Sequence, residues 1–98
     1  MILKFKQTCW SCPEQYDVYK VGIKNLELVG YVKLRFGELT VKVPDSTGEI
    51  IYNIKFPNGL KGNFSSYDER KKYLRIIKNV IKSYYRNNKL KRQKKGIK

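Results

Sequence analysis

Cys9-Trp10-Ser11-Cys12 is the one spacing in this chain that suggests a reaction or a metal. A redox Cys-x-x-Cys usually opens a helix after a strand, where the helix N-terminus lowers the thiol pKa. Here an alternating, strand-like segment follows instead. A structural zinc needs four ligands, and the chain has two Cys and no His, so only a dimer sharing Cys9 and Cys12 between protomers completes one. The expectation is two ordinary reduced cysteines beside a packed Trp10 and no metal within one chain. A disulfide or redox pair and an intersubunit metal are the alternatives.

Hydrolytic or transfer chemistry finds little material. No His can serve as a base near neutral pH, and no Gly-rich phosphate loop is present. Asp45, Glu49 and Lys55 offer two carboxylates and a lysine, but Asn53 stands where a restriction-type nuclease places an acid two residues before its lysine. Asp45 to Gly48 is expected to be a hairpin turn. The chain is therefore expected not to be an enzyme and to need no cofactor.

What remains is charge. The 98 residues carry 22 Lys or Arg against 8 Asp or Glu, a net +14. Thirteen of those cations lie from Ser66 onward, where Asp68 and Glu69 are the only acids. A balance this basic points to nucleic acid, an anionic membrane surface or an acidic protein. Within the last third, Arg70, Lys71, Arg75, Lys78, Lys82 and Arg86 are interleaved with apolar residues, and Lys89, Lys91, Arg92, Lys94 and Lys95 follow. A second set, Tyr19, Tyr31, Lys33, Arg35, Lys42, Asn53 and Lys55, falls on the polar side of strand-like segments. Exposed aromatics among cations suit a single strand, since bases stack on rings while Lys and Arg hold phosphates.

The elements that must position these residues are legible. Met1 to Gln7 reads as a short edge strand or arm, followed by an irregular link from Thr8 to Glu14. Gln15–Val21, Leu26–Phe36, Leu39–Pro44 and Glu49–Phe56 alternate as strands joined by short turns. The longest should place Leu26, Leu28, Val32, Leu34 and Phe36 on one face, with Gly30 among them at a bulge or a close neighbour. The last should set Ile50, Tyr52, Ile54 and Phe56 against Ile51, Asn53 and Lys55. Pro57 to Ser65 ends the sheet as a loop. Ser66 and Glu69 then form a capping box, and Tyr73, Leu74, Ile77, Val80, Ile81 and Tyr84 recur at helical spacing to cover the sheet. Asn87 and Asn88 are the expected stop. The fold class is α+β: a four- or five-stranded antiparallel β-meander with one long C-terminal helix packed on one face. Residues 1–88 form one domain and 89–98 a flexible basic tail.

A membrane-surface helix conflicts with this fold, because the sheet needs the apolar stripe for its own core. No secretory signal and no apolar run of membrane-spanning length is visible, so a soluble, cytoplasmic protein is expected. The segments CPEQYDVY, VGYVKLRFGELTVKVPD and GEIIY, with the Gly-Asn-Phe loop and the helix after it, resemble small uncharacterised phage and mobile-element proteins of Gram-positive bacteria. The resemblance carries over no site residue. It implies a context, a bacterial host cell, where such proteins bind nucleic acid or block a defence. The leading expectation is a binder of DNA or RNA, or of a nucleoprotein complex. The alternatives are an inhibitor docking on a host defence protein, anti-CRISPR-like, and an oligomeric sponge for an anionic nucleotide signal. Strand order and oligomeric state are left open.

Overall fold

The computed structural model describes residues 1–9, 14–57 and 64–96, with Cys9 and 88–96 as backbone alone. Five strands, β1 (Leu3–Cys9), β2 (Glu14–Val21), β3 (Leu26–Arg35), β4 (Glu38–Val43) and β5 (Glu49–Lys55), precede one helix, α1 (Tyr67–Gly96). The strands pair antiparallel in chain order, β1-β2-β3-β4-β5, and α1 packs on one face of the sheet. This is the expected α+β meander in its five-stranded form.

Short turns make that order the natural one. Between β4 and β5, Asp45 Oδ1 accepts from Thr47 N at 2.9 Å and Thr47 Oγ1 at 2.7 Å, while Gly48 N donates to the Asp45 carbonyl at 3.0 Å. An aspartate bonding the backbone two residues on is a turn in its own right. Between β3 and β4, Arg35 faces Glu38, so the loop is Phe36-Gly37 alone. Both residues have positive φ, 53° and 73°, the signature of a type I′ hairpin.

The core lies between sheet and helix. Val18, Val32, Leu34, Leu39, Val41, Ile77 and Ile81 are each at most 1% exposed, and such a side chain contributes about 1.5–3 kcal/mol by leaving water. Ser66 caps α1 as expected: Glu69 N donates to Ser66 Oγ at 3.0 Å. The return arm reaches Ser65 N, at 2.8 Å, one residue earlier than a standard box.

Two bulges correct the expected strand faces. In β2–β3, Val18 faces Gly30 but Tyr19 faces Leu28, so Val29 is an extra residue. An extra residue reverses the alternation beyond it. Val29 accordingly joins the core at 2% exposure, while Leu26 and Leu28, expected inside, stand 51% and 37% exposed. In β4–β5, Val41 faces Tyr52 but Lys42 faces Ile50. Ile51 therefore packs against the core with Tyr52 and Ile54, and Ile50, expected with them, is turned out. Phe36, expected on the apolar face, is in the turn and exposed. Gly30 has both of the reasons expected for it: it lies at the bulge, and a Cβ there would stand 3.1 Å from Ile81 Cδ1.

The helix meets these bulges. Tyr85 donates its hydroxyl to the Val29 carbonyl at 2.6 Å, satisfying a group the bulge removes from the ladder. Tyr85 is thus a sheet contact absent from the expected stripe, and Tyr84 beside it donates to Glu49. Helical backbone also continues past Asn87 and Asn88 to Gly96, beyond the expected boundary at residue 88. Asparagine is a weak stop, and the Lys, Leu, Arg and Gln that follow are good helix formers. No described helix is long and apolar enough to cross a membrane.

Candidate nucleic-acid interface

Arg70, expected on an anion-binding face, is engaged in the fold. Glu14, expected in the irregular link ahead of the strand from Gln15, opens β2 and is 2% exposed. Its carboxylate accepts from Arg70 Nε at 2.8 Å, Arg70 Nη2 at 3.2 Å and the Phe64 backbone N–H at 3.1 Å, and also from the Tyr16 hydroxyl. Burial raises the carboxyl pKa, but the bonds from Arg70, Tyr16 and Phe64 together outweigh it and hold the group below its ordinary value. Burial and the bond to Glu14 push the Tyr16 phenol up. The cluster joins the start of β2 to the first turn of α1.

The other expected cations whose side chains are described divide between two surfaces. On the face of the sheet away from α1, cross-strand partners line up in rows. One runs Lys6, Asp17, Tyr31, Lys42, Ile50; the next Gln15, Lys33, Thr40, Asn53; a third Arg35, Glu38, Lys55. Asn53 Nδ2 donates to Thr40 Oγ1 at 3.0 Å, tying the middle row. Tyr19 shares this face beside Lys4 and Leu28 and lies diagonal to Tyr31. Counting Lys4 and Lys6, which were not singled out in the sequence, the face presents Lys4, Lys6, Lys33, Arg35, Lys42 and Lys55 against Asp17 and Glu38. Burial and then the charge of Asp17 push the Tyr31 phenol up, so its ring stays neutral throughout the physiological range.

A depression of about 410 Å³ opens on this face over β3 and β4, lined by Tyr31, Lys33, Lys42 and Phe36 among others. Phe36 stands at its rim, 67% exposed, with the Arg35 guanidinium 4.6 Å from the ring centroid. Nothing in strand alternation pointed to Phe36. The signal was the Phe-Gly pair itself, which a two-residue hairpin puts in the turn rather than at the end of the strand.

The second surface is one flank of α1. At 100° per residue, Lys71, Arg75, Lys78, Lys82 and Arg86 fall on a single stripe set away from Ile77 and Ile81. It extends roughly 22 Å at 1.5 Å per residue. Lys71, Arg75 and Arg86 are exposed, Lys78 and Lys82 half-buried along their stems, and Lys71 Nζ lies 4.9 Å from the Tyr67 ring centroid. Asp68 and Glu69, the helix's acids, are confined to its first turn, where they favour the dipole. Lys89, Lys91, Arg92, Lys94 and Lys95 lie beyond the described side chains. Because α1 covers the opposite side of the sheet, the two basic surfaces are back to back, and the expected residues do not form one site.

The other candidates separate further. Glu49 faces α1 through its bond to Tyr84, whereas Lys55 is on the outer face and Asp45 is held by Thr47. The Cys9 side chain, Trp10 and Cys12 lie outside the described residues. Among the described residues no three His, Cys, Asp or Glu side chains gather to hold a metal. Comparison with protein-family models, curated proteins and solved structures returned no match.

Proposed function

We propose that this chain is a non-enzymatic nucleic-acid-binding protein that holds backbone phosphates along the flank of α1. The observation that carries this reading is the acid-free cation stripe from Lys71 to Arg86. Lys71/Arg75, Lys78/Lys82 and Lys82/Arg86 are like-charge pairs at i, i+4, each destabilising a helix by about 0.2–0.5 kcal/mol. A polyanion relieves that repulsion on binding. A net +14 also exceeds the magnitude of about 2–8 that solubility asks of a small domain.

The test is affinity for a DNA or RNA duplex against salt, read by fluorescence anisotropy. With about six to ten phosphates engaged, affinity should fall at least a thousandfold between 50 and 200 mM salt; a salt-insensitive complex sinks the reading. Truncation after Asn88 should weaken this binding and leave the fold intact, while unfolding would mean that the last turns of α1 are structural.

A second reading, docking on a protein within a nucleoprotein complex such as a host defence assembly, is favoured by Leu26, Leu28 and the fully exposed Ile23 near one end of the open face. Co-purification that survives nuclease treatment would select it.

A further inference from the structure

Phe36 occupies a backbone region that bulky residues avoid, at φ 53°. It gains no burial in return, since it is 67% exposed. A type I′ loop ahead of Gly37 favours Asn at that place, so neither turn chemistry nor core packing accounts for a phenylalanine. What its position does accomplish is to hold an aromatic ring, paired with the Arg35 guanidinium at 4.6 Å, at the rim of the depression over β3 and β4. Lys33 and Lys42 line that depression, and Tyr31 closes its far end. Among the described residues, Lys42 Nζ makes one long 3.4 Å contact, to the Ser46 carbonyl. A volume of about 410 Å³ falls within the range of small-molecule sites, roughly 300–1,000 Å³, and suits one nucleotide rather than a double helix.

We infer that the depression receives an unpaired nucleotide of a single strand, its base stacked on the Phe36–Arg35 pair and its flanking phosphates on Lys33 and Lys42. The inference rests on the nucleic-acid reading above and adds the substrate class. The charge of this face, six cations against two acids, complements a phosphate backbone. Stacking on a ring requires a base released from its neighbours, which single strands offer and duplexes do not. Stacking accepts the face of any base, so sequence preference should be weak.

The decisive variant is Phe36→Asn, which makes the loop Asn-Gly and removes the ring while favouring the turn. Anisotropy with labelled U12, dT12 and a 12-base-pair duplex, alongside thermal unfolding, gives the readout. Single-strand affinity should fall about tenfold, the scale of one lost base–aromatic stack, while duplex affinity changes less than twofold and Tm is unchanged or higher. Phe36→Trp should retain single-strand binding. Equal single-strand affinity for Phe36→Asn and wild type overturns the inference and leaves phosphate binding on α1 standing, as does equal loss in both variants. Failure of the wild type to bind any of the three probes overturns both readings. Competition of U12 by free uridine monophosphate at equal nucleotide concentration would assign the depression to mononucleotides and overturn the single-strand assignment.

Discussion

Replacing Arg70 by methionine is expected to lower the unfolding free energy by about 3 kcal/mol, measured by urea denaturation at pH 7. Removing one partner of a buried ion pair costs about 3–5 kcal/mol because the other charge is left in a poor solvent. Glu14, at 2% side-chain exposure, is that charge. The Arg70 side chain is 35% exposed, so water replaces part of the lost guanidinium and the low end applies. The Phe64 N–H and the Tyr16 hydroxyl still face the carboxylate in the variant, but neither brings a positive charge. Adding Glu14→Gln should recover much of the loss, since a neutral amide oxygen still accepts from both. A variant as stable as wild type would show that Arg70 is available for ligand rather than fold.

The pH dependence separates these cases more sharply. In the wild type the Glu14 carboxyl is held below its ordinary value, so the unfolded state binds its proton first. The stability Glu14 contributes is then present above about pH 4.3, the unfolded value, and lost as pH falls through the folded one. Without Arg70, burial dominates and the carboxyl moves up. Arg70→Met should therefore lose stability as pH rises above about 4.3, where wild type holds or gains it. Opposite slopes between pH 4 and 7 are the signature; parallel slopes would mean that Arg70 does not set the Glu14 proton affinity.

This cluster also marks where local sequence signals end. The strand segments, the Asp45 turn and the Ser66 cap were legible because each rests on residues close to one another in sequence. Glu14 and Arg70 are 56 residues apart, and nothing near either one announces the pair. A glutamate beside Pro13 looks like loop, and an arginine in a basic helix looks like one more surface charge. The bulges are hidden differently. Val29 and Ile51 each stand beside an apolar residue of the opposite phase, so composition alone could not choose between Leu28 and Val29, or between Ile50 and Ile51. Of the candidate site, the residue types and the helical stripe were visible, whereas the separation into two opposed surfaces depended on the packing of α1. At Phe36 strand periodicity carries one residue too far, since the ring stands in the turn and is exposed rather than in the core.

Neutralising the helix flank with Lys78→Gln, Lys82→Gln and Arg86→Gln together is expected to weaken duplex binding by about five-hundredfold at 0.1 M salt if all three side chains reach phosphates. Each phosphate contact contributes about 0.9 to the slope of log affinity against log salt, so at this concentration each is worth slightly less than tenfold. The slope should become shallower by about 2–3 if all three side chains reach phosphates. Stability should move the other way, rising slightly, because the triple variant removes the Lys78/Lys82 and Lys82/Arg86 repulsions. A binding defect caused by unfolding would carry the opposite sign in Tm. The matched control is Lys33→Gln with Lys42→Gln on the outer sheet face. Since α1 packs on the other side of that sheet, a short duplex lying along the helix flank cannot also lie on β3 and β4. The control should leave duplex affinity within about twofold, the change expected from lowering overall charge alone. Equal losses from both sets would require the nucleic acid to wrap the sheet edge, and an unchanged salt slope in the triple variant would remove the helix flank as the phosphate-binding surface.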